Sequence, residues 1–285
     1  MPNVFRRLLI FILLCPLWTF GAEVVRYPLP EAEGDRRLGY PEQLLELALS
    51  KSGTAYRIEH PTTRMNQERQ VLELEADRSL DVAPIPASAE REARLLPIRI
   101  PLNKGLLGWR LGLVRKGEEE MLAGLTQAGD LKKIRIVQGH EWPDTAILRD
   151  NGINVLTGPD YQGLFKMLSA GRFDYFPRSV MEIWSELDVH ADELGLERHV
   201  ALHYFYDSYF FVNKKKTKLA EDIRRGLEKA IADGSFDRLF LQHWGEGVRR
   251  ARLDERVVIE LRNPLLSPET PSNRPELWYD AKRGR

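Results

Sequence analysis

Residues 133–176 read KIRIVQGHEWPDTAILRDNGINVLTGPDYQGLFKMLSAGRFDYF, and this stretch decides the fold. Ile134 and Ile136 alternate with Arg135, as in a strand. Pro143 to Asp150 reads as a helix, Asn154 to Leu156 as a strand, Tyr161 to Ser169 as a helix and Phe173 to Phe176 as a strand. The result is a compact β-α-β-α-β set, which predicts α/β layering.

The same alternation extends upstream. Val24 to Tyr27 predicts a first strand, and Pro41 to Leu49 a helix with proline tolerated in its first turn. Tyr56 to Glu59 predicts a strand, Arg64 to Glu75 a helix and Leu80 to Ala83 a short strand. Leu111 to Val114 predicts a strand leading into a charged helix around Glu118 to Ala128. Downstream, Tyr209 to Val212 reads as a strand. Leu219, Ile223, Leu227 and Ile231 then form one apolar helical face, and Phe236, Leu239, Phe240, His243 and Trp244 form another. After Arg262 the chain is proline-rich and should run extended over the surface, pinned by Leu277, Trp278 and Tyr279.

The N-terminus reads as an export signal. Arg6 and Arg7 precede an apolar run from Leu8 to Phe20, 13 residues that are too short to span a bilayer. The small residues Thr19, Gly21 and Ala22 follow, which places cleavage near Gly21 or Ala22. An uncleaved anchor is the alternative. Cys15, between Leu14 and Pro16, lacks the small preceding residue that lipid acylation needs, so it should leave with the signal. The mature chain then has no disulfide to rely on and must be stabilised by core burial. Lys plus Arg equals Asp plus Glu at 42 each, which argues against a nucleic-acid binder.

Common catalytic signatures are missing. There is no Gly-x-Ser-x-Gly elbow, no phosphate loop and no Gly-x-Gly-x-x-Gly turn. His140, Glu141 and Asp144 do not have the spacing of a helical zinc site, and Pro143 interrupts them, so a polar loop at a helix start is expected. His243 should sit at the edge of the core. Lys214 to Lys216 reads as solvated charge.

Four short segments resemble one family. They are Tyr27-Pro28 with Gly39-Tyr40-Pro41-Glu42-Gln43-Leu44-Leu45; Ser88-Ala89-Glu90-Arg91; Leu168-Ser169-Ala170-Gly171-Arg172-Phe173-Asp174; and Ala232-Asp233-Gly234-Ser235-Phe236-Asp237-Arg238-Leu239 with His243-Trp244. In this order they resemble the bacterial extracellular solute-binding proteins of the polar amino-acid type, the type II periplasmic binding proteins. The tail from Arg249 lies outside the resemblance. The resemblance implies two α/β lobes joined by two crossover strands that act as a hinge, with ligand held between them. The expected organisation is a signal over 1–22, lobe one over 23–110 plus 207–262, lobe two over 111–206, and a proline-rich tail over 263–285.

The resemblance also implies a site. Arg91 stands where the family grips a ligand carboxylate, a task suited to the planar guanidinium fork. Ser88 would add a hydroxyl. Tyr27 would either wall the ligand or pack in the core. His140 lies at the family's anion-binding turn in lobe two, although the family favours small hydroxyl residues there. Ser179 stands where amino-acid binders carry an aspartate for the ligand's amine, and a serine cannot neutralise an ammonium. Arg178 beside it would either face the cleft or pair with Glu182 one turn on. Pro84 and Pro86 thin the usual donor set, and Trp109 would line the cleft or brace the hinge. The expectation is a periplasmic, monomeric binding protein without cofactor, metal or catalytic activity. It would pass a small carboxylate-bearing solute to an ABC permease or report it to a membrane sensor. The rivals are a dehydratase-like enzyme using Glu141, Asp144 or His140, and a regulatory protein with a degenerate cleft.

Overall fold

A computed structural model of the chain describes residues 21–31, 38–140, 142–158 and 160–284. The expected signal lies outside them except for Gly21 and Ala22, and so does Glu141. No helix among the described residues is long and apolar enough to cross a membrane.

The first lobe opens with β1 (Glu23–Arg26), α1 (Gly39–Lys51) and β2 (Tyr56–Glu59), the two strands pairing in parallel. Next come α2 (Gln67–Glu75), β3 (Val82–Pro86), α3 (Ala89–Arg94) and β4 (Leu96–Ile98). Local chemistry starts these helices: Asn66 accepts from the Arg69 amide at the head of α2, and Ser88 from the Arg91 amide at the head of α3. The chain then crosses through residues 103–108 into β5 (Trp109–Arg115) of the second lobe.

The second lobe continues with β6 (Ile136–Gly139), α4 (Pro143–Asp150), β7 (Val155–Gly158), α5 (Tyr161–Ser169) and β8 (Phe176–Ser179). α6 (Ile183–Val189), β9 (Leu194–Leu196) and β10 (Val200–His203) complete it. β6 and β7 are parallel, while β5 runs antiparallel to β8, β9 and β10. The β-α-β-α-β order is as expected, but β6 begins at Ile136 and β8 at Phe176, two and three residues later than the expected strands.

The chain returns through residues 204–207 to β11 (Ser208–Val212), which pairs antiparallel with β3 and β4 and completes the first lobe's sheet. α7 (Thr217–Ala232) packs on α1 so closely that a Cβ at Gly226 would stand 1.8 Å from the Ala48 carbonyl oxygen. α8 (Ser235–Ala251) follows, then β12 (Val257–Glu260).

One expectation is corrected. Glu118 to Leu125 is a series of tight turns, in which the amides of Glu118, Met121, Ala123 and Leu125 bond the carbonyl three residues back, rather than a helix. Gly117 and Gly124 take left-handed φ values of 91° and 89° at its ends, and the Glu120 side chain is drawn off to Arg198 and His199. The segment 207–262, expected to complete lobe one, meets both cores. β12 pairs in parallel with β10 and so extends the second lobe's sheet. Phe240, Val248 and Ala251 on α8 are buried in the second lobe's core, whereas Phe236 is buried in the first. The apolar stripe of α8 is continuous, and it serves two cores in turn. Leu277, Trp278 and Tyr279 are all buried, so the tail is pinned as expected.

Candidate functional site between the lobes

A cavity of about 290 Å³ lies where the lobes meet. Gln67 and Gln70 from α2, Pro84 and Pro86 from β3, and Asn103 from the crossing segment form one side. Met181 and Glu182 from the second lobe form the other, and Trp244 of α8 also lines it. This volume suits a solute at the small end of the range for ligand pockets. Asn103 Oδ1 and Trp244 Nε1 are buried polar atoms without a hydrogen-bond partner, one an acceptor and one a donor.

Arg91 stands behind this wall. Its guanidinium donates to the Pro86 carbonyl at 2.8 Å and to Gln67 Oε1 at 2.7 Å, both on residues that line the cavity. Ser88 caps α3 beneath it, with Oγ accepting from the Arg91 amide at 3.2 Å.

Arg178 takes the paired alternative. It donates to Glu186 at 2.7 Å, lies 3.2 Å from Glu182 and stacks 4.7 Å from the Trp142 ring centroid. Burial opposes its charge, but the two carboxylates outweigh that and hold its pKa above the ordinary arginine value. Ser179 is fully buried, and its hydroxyl donates to the Leu106 carbonyl at 3.0 Å. Asp144 is joined to Arg110 at 2.8 Å and accepts from the Tyr204 hydroxyl.

The other expected residues stand away from the cavity wall. Tyr27 is fully buried and donates to the Leu38 carbonyl at 3.1 Å, a core role. Trp109 is buried with its ring tilted against His203, centroids 4.2 Å apart. His140 is exposed, its amide bonded to the Gly158 carbonyl and its ring 3.4 Å from Thr157 Oγ1. The structure thus gathers Ser88 and Arg91 near the cavity and leaves Tyr27, Trp109 and His140 apart from it. Sequence reasoning missed Gln67, Gln70, Asn103 and Trp244 as wall residues, because they come from well-separated segments and share no motif. It also missed Glu186, eight residues beyond Arg178 on the following helix and carrying no local signal.

No protein-family profile matches the sequence, and no curated protein matches it. Solved structures do. An ancestral arginine-binding protein bound to arginine is similar at 16% identity with a TM-score of 0.55, over 78% of this chain and 98% of that one. A Salmonella typhimurium periplasmic binding protein of high arginine specificity is similar at 15% identity and TM-score 0.55, over 78% of this chain and 100% of that one. The L-cystine solute receptor of Neisseria gonorrhoeae, unliganded and open, is similar at 14% identity and TM-score 0.54, over 78% of this chain and 93% of that one. The chain has the two-lobed α/β fold of these binding proteins.

Proposed function

We propose that the protein binds a small solute between its lobes, outside the cytoplasm, and carries no catalytic role. The observation that carries the reading is the cavity of about 290 Å³ walled by residues of both lobes. Similar proteins with this fold bind arginine and cystine, which supports a solute of amino-acid size. A carboxylate would reach Arg91 by replacing Gln67 Oε1 on the guanidinium, exchanging a neutral acceptor for a charged one. No aspartate stands at Ser179 to receive an ammonium, which favours a solute without a free α-amine; its acid group would be the one that meets Arg91. An ABC permease or a membrane sensor is the downstream partner in this reading, and the protein works as a monomer.

The test is thermal shift followed by calorimetry with L-arginine, L-glutamine, L-cystine, and mono- and dicarboxylates such as propionate and succinate. At least one should raise the unfolding temperature and bind with a one-to-one stoichiometry. If none of a broad set of small acids and amino acids binds, solute capture is the wrong reading.

A further inference from the structure

Two crossing strands are the expected hinge between the lobes, but among the described residues the chain crosses four times. The first two crossings are residues 103–108 and 204–207. The third is α8, a single helix of 17 residues and about 25 Å, whose Phe236 is buried in the first core and whose Phe240, Val248 and Ala251 are buried in the second. Trp244 packs against both cores. A regular helix curves only gently along its length, so α8, unbroken from Ser235 to Ala251, ties the two cores together.

The fourth crossing is the tail. β12 is paired into the second lobe's sheet, and Arg262 pairs with Asp150 at 2.6 Å. The chain then leaves for the first lobe. The Leu265 carbonyl accepts from the Ala89 amide at 3.0 Å, Glu269 meets Arg99 at 2.7 Å, and Arg274 meets Glu228 at 2.6 Å. It ends on the crossing itself. The Tyr279 amide donates to the Lys104 carbonyl at 2.7 Å. The Trp278 ring lies so close to Gly105, at φ 78°, that a Cβ there would stand 2.5 Å from it. The similar solved chains are covered over 93–100% of their lengths by about four-fifths of this one, so this chain carries segments that they lack.

We propose that α8 and the tail from Leu253 to Tyr279 form a brace that fixes the angle between the lobes. The cleft is then held near one opening, and solute exchanges through local movement of its wall instead of by rotation of whole lobes. Gly247 shows how tight the brace is on the second lobe: a Cβ there would lie 2.9 Å from Trp184 Nε1.

Double electron–electron resonance tests this without any ligand. Spin labels at Leu72→Cys and Val189→Cys, in a Cys15→Ser background, occupy exposed positions on α2 and α6, whose neighbouring residues line the cavity from opposite sides. The full chain should give one narrow distance distribution. Trp278→Ala and Gly247→Val should each broaden it or add a second, separated population. A wild-type distribution that is already broad or double overturns the brace, as does one that both variants leave unchanged while they remain folded by circular dichroism. If a variant does not fold, the wild-type width alone decides. The outcome is independent of whether any solute binds.

Discussion

The Arg178 guanidinium donates through Nε and Nη2 to the Glu186 carboxylate at 2.7–2.9 Å, and both side chains are buried. The stacked faces of Trp142, Phe176 and Tyr161 enclose the pair. Without Glu186, the buried Arg178 would keep only the more exposed Glu182 at 3.2 Å as a partner, which is costly. Glu186→Ala should lower stability by roughly 3–5 kcal/mol, whereas replacing both partners, Arg178→Met with Glu186→Leu, should recover most of that. Urea unfolding of the two variants checks it. Equal losses in the single and the double variant would mean that the pair is held for packing and not for its charges.

Asp207, on the return crossing, is pushed up to about 6 by burial, against the opposing pull of donors from Asn103, Gly105 and Ser208. The native state therefore binds a proton more tightly than the unfolded chain does. The stability that this proton contributes is complete below about pH 4 and is lost as pH rises through about 6. A shift of about 2 units corresponds to about 3 kcal/mol at most. Asp207→Asn should flatten the difference curve over that window, which unfolding free energies measured between pH 4 and 7 would reveal.

Asp81 works in the opposite sense. Arg26 binds it at 2.8 and 2.9 Å, Lys216 contacts it, and together with hydrogen bonds from the backbone they outweigh burial and hold its carboxyl down at about 2. Its contribution is present above about pH 4 and is lost as pH falls toward 2. Because Arg26 is 38% exposed, solvent screens the pair, and Asp81→Asn should cost about 1–2 kcal/mol at pH 7. The cost should shrink to nearly nothing near pH 2.

What was legible followed the period of burial. α7 could be read because Ile223 and Leu227 are buried at fourfold spacing, and the β-α-β-α-β set because its strands alternate with helices. The turns at 118–125 were misread because their charge composition suits a helix, while the two flanking left-handed glycines decide otherwise. β12 could not be assigned to a lobe from its own four residues, since its partner β10 lies 57 positions away. The site was legible only in part. Glu182 could be seen at one helical turn from Arg178, but the wall of Gln67, Asn103 and Trp244 exists only after folding brings three segments together.

Gly226 on α7 gives a prediction against simple propensity. Alanine is better than glycine in a helix by about 1 kcal/mol. Here, however, an added Cβ would lie 1.8 Å from the Ala48 carbonyl oxygen, which is backbone and cannot swing aside. Gly226→Ala should therefore destabilise the protein by a net of about 1–3 kcal/mol, as overpacking does. A lower urea midpoint with an unchanged slope is the expected result, and a rise in the midpoint would show that α1 and α7 separate easily.

Arg91 and Gln67 should be coupled in binding. In the free protein, Gln67 Oε1 accepts from the Arg91 guanidinium at 2.7 Å. A ligand carboxylate must displace this neutral acceptor. Gln67→Glu would place a charged competitor on the same donor, and affinity for an acid should fall by about tenfold or more, since charge-assisted bonds are roughly twice as strong as neutral ones. Gln67→Ala removes the competitor and should leave affinity equal or slightly higher. Arg91→Ala should abolish the difference between the two Gln67 variants, because neither then has a cation to compete for. Calorimetry on this four-member set, with whichever acid raises the unfolding temperature, separates the roles. If Gln67→Glu and Gln67→Ala bind the acid equally well while Arg91 is present, the guanidinium does not receive the carboxylate.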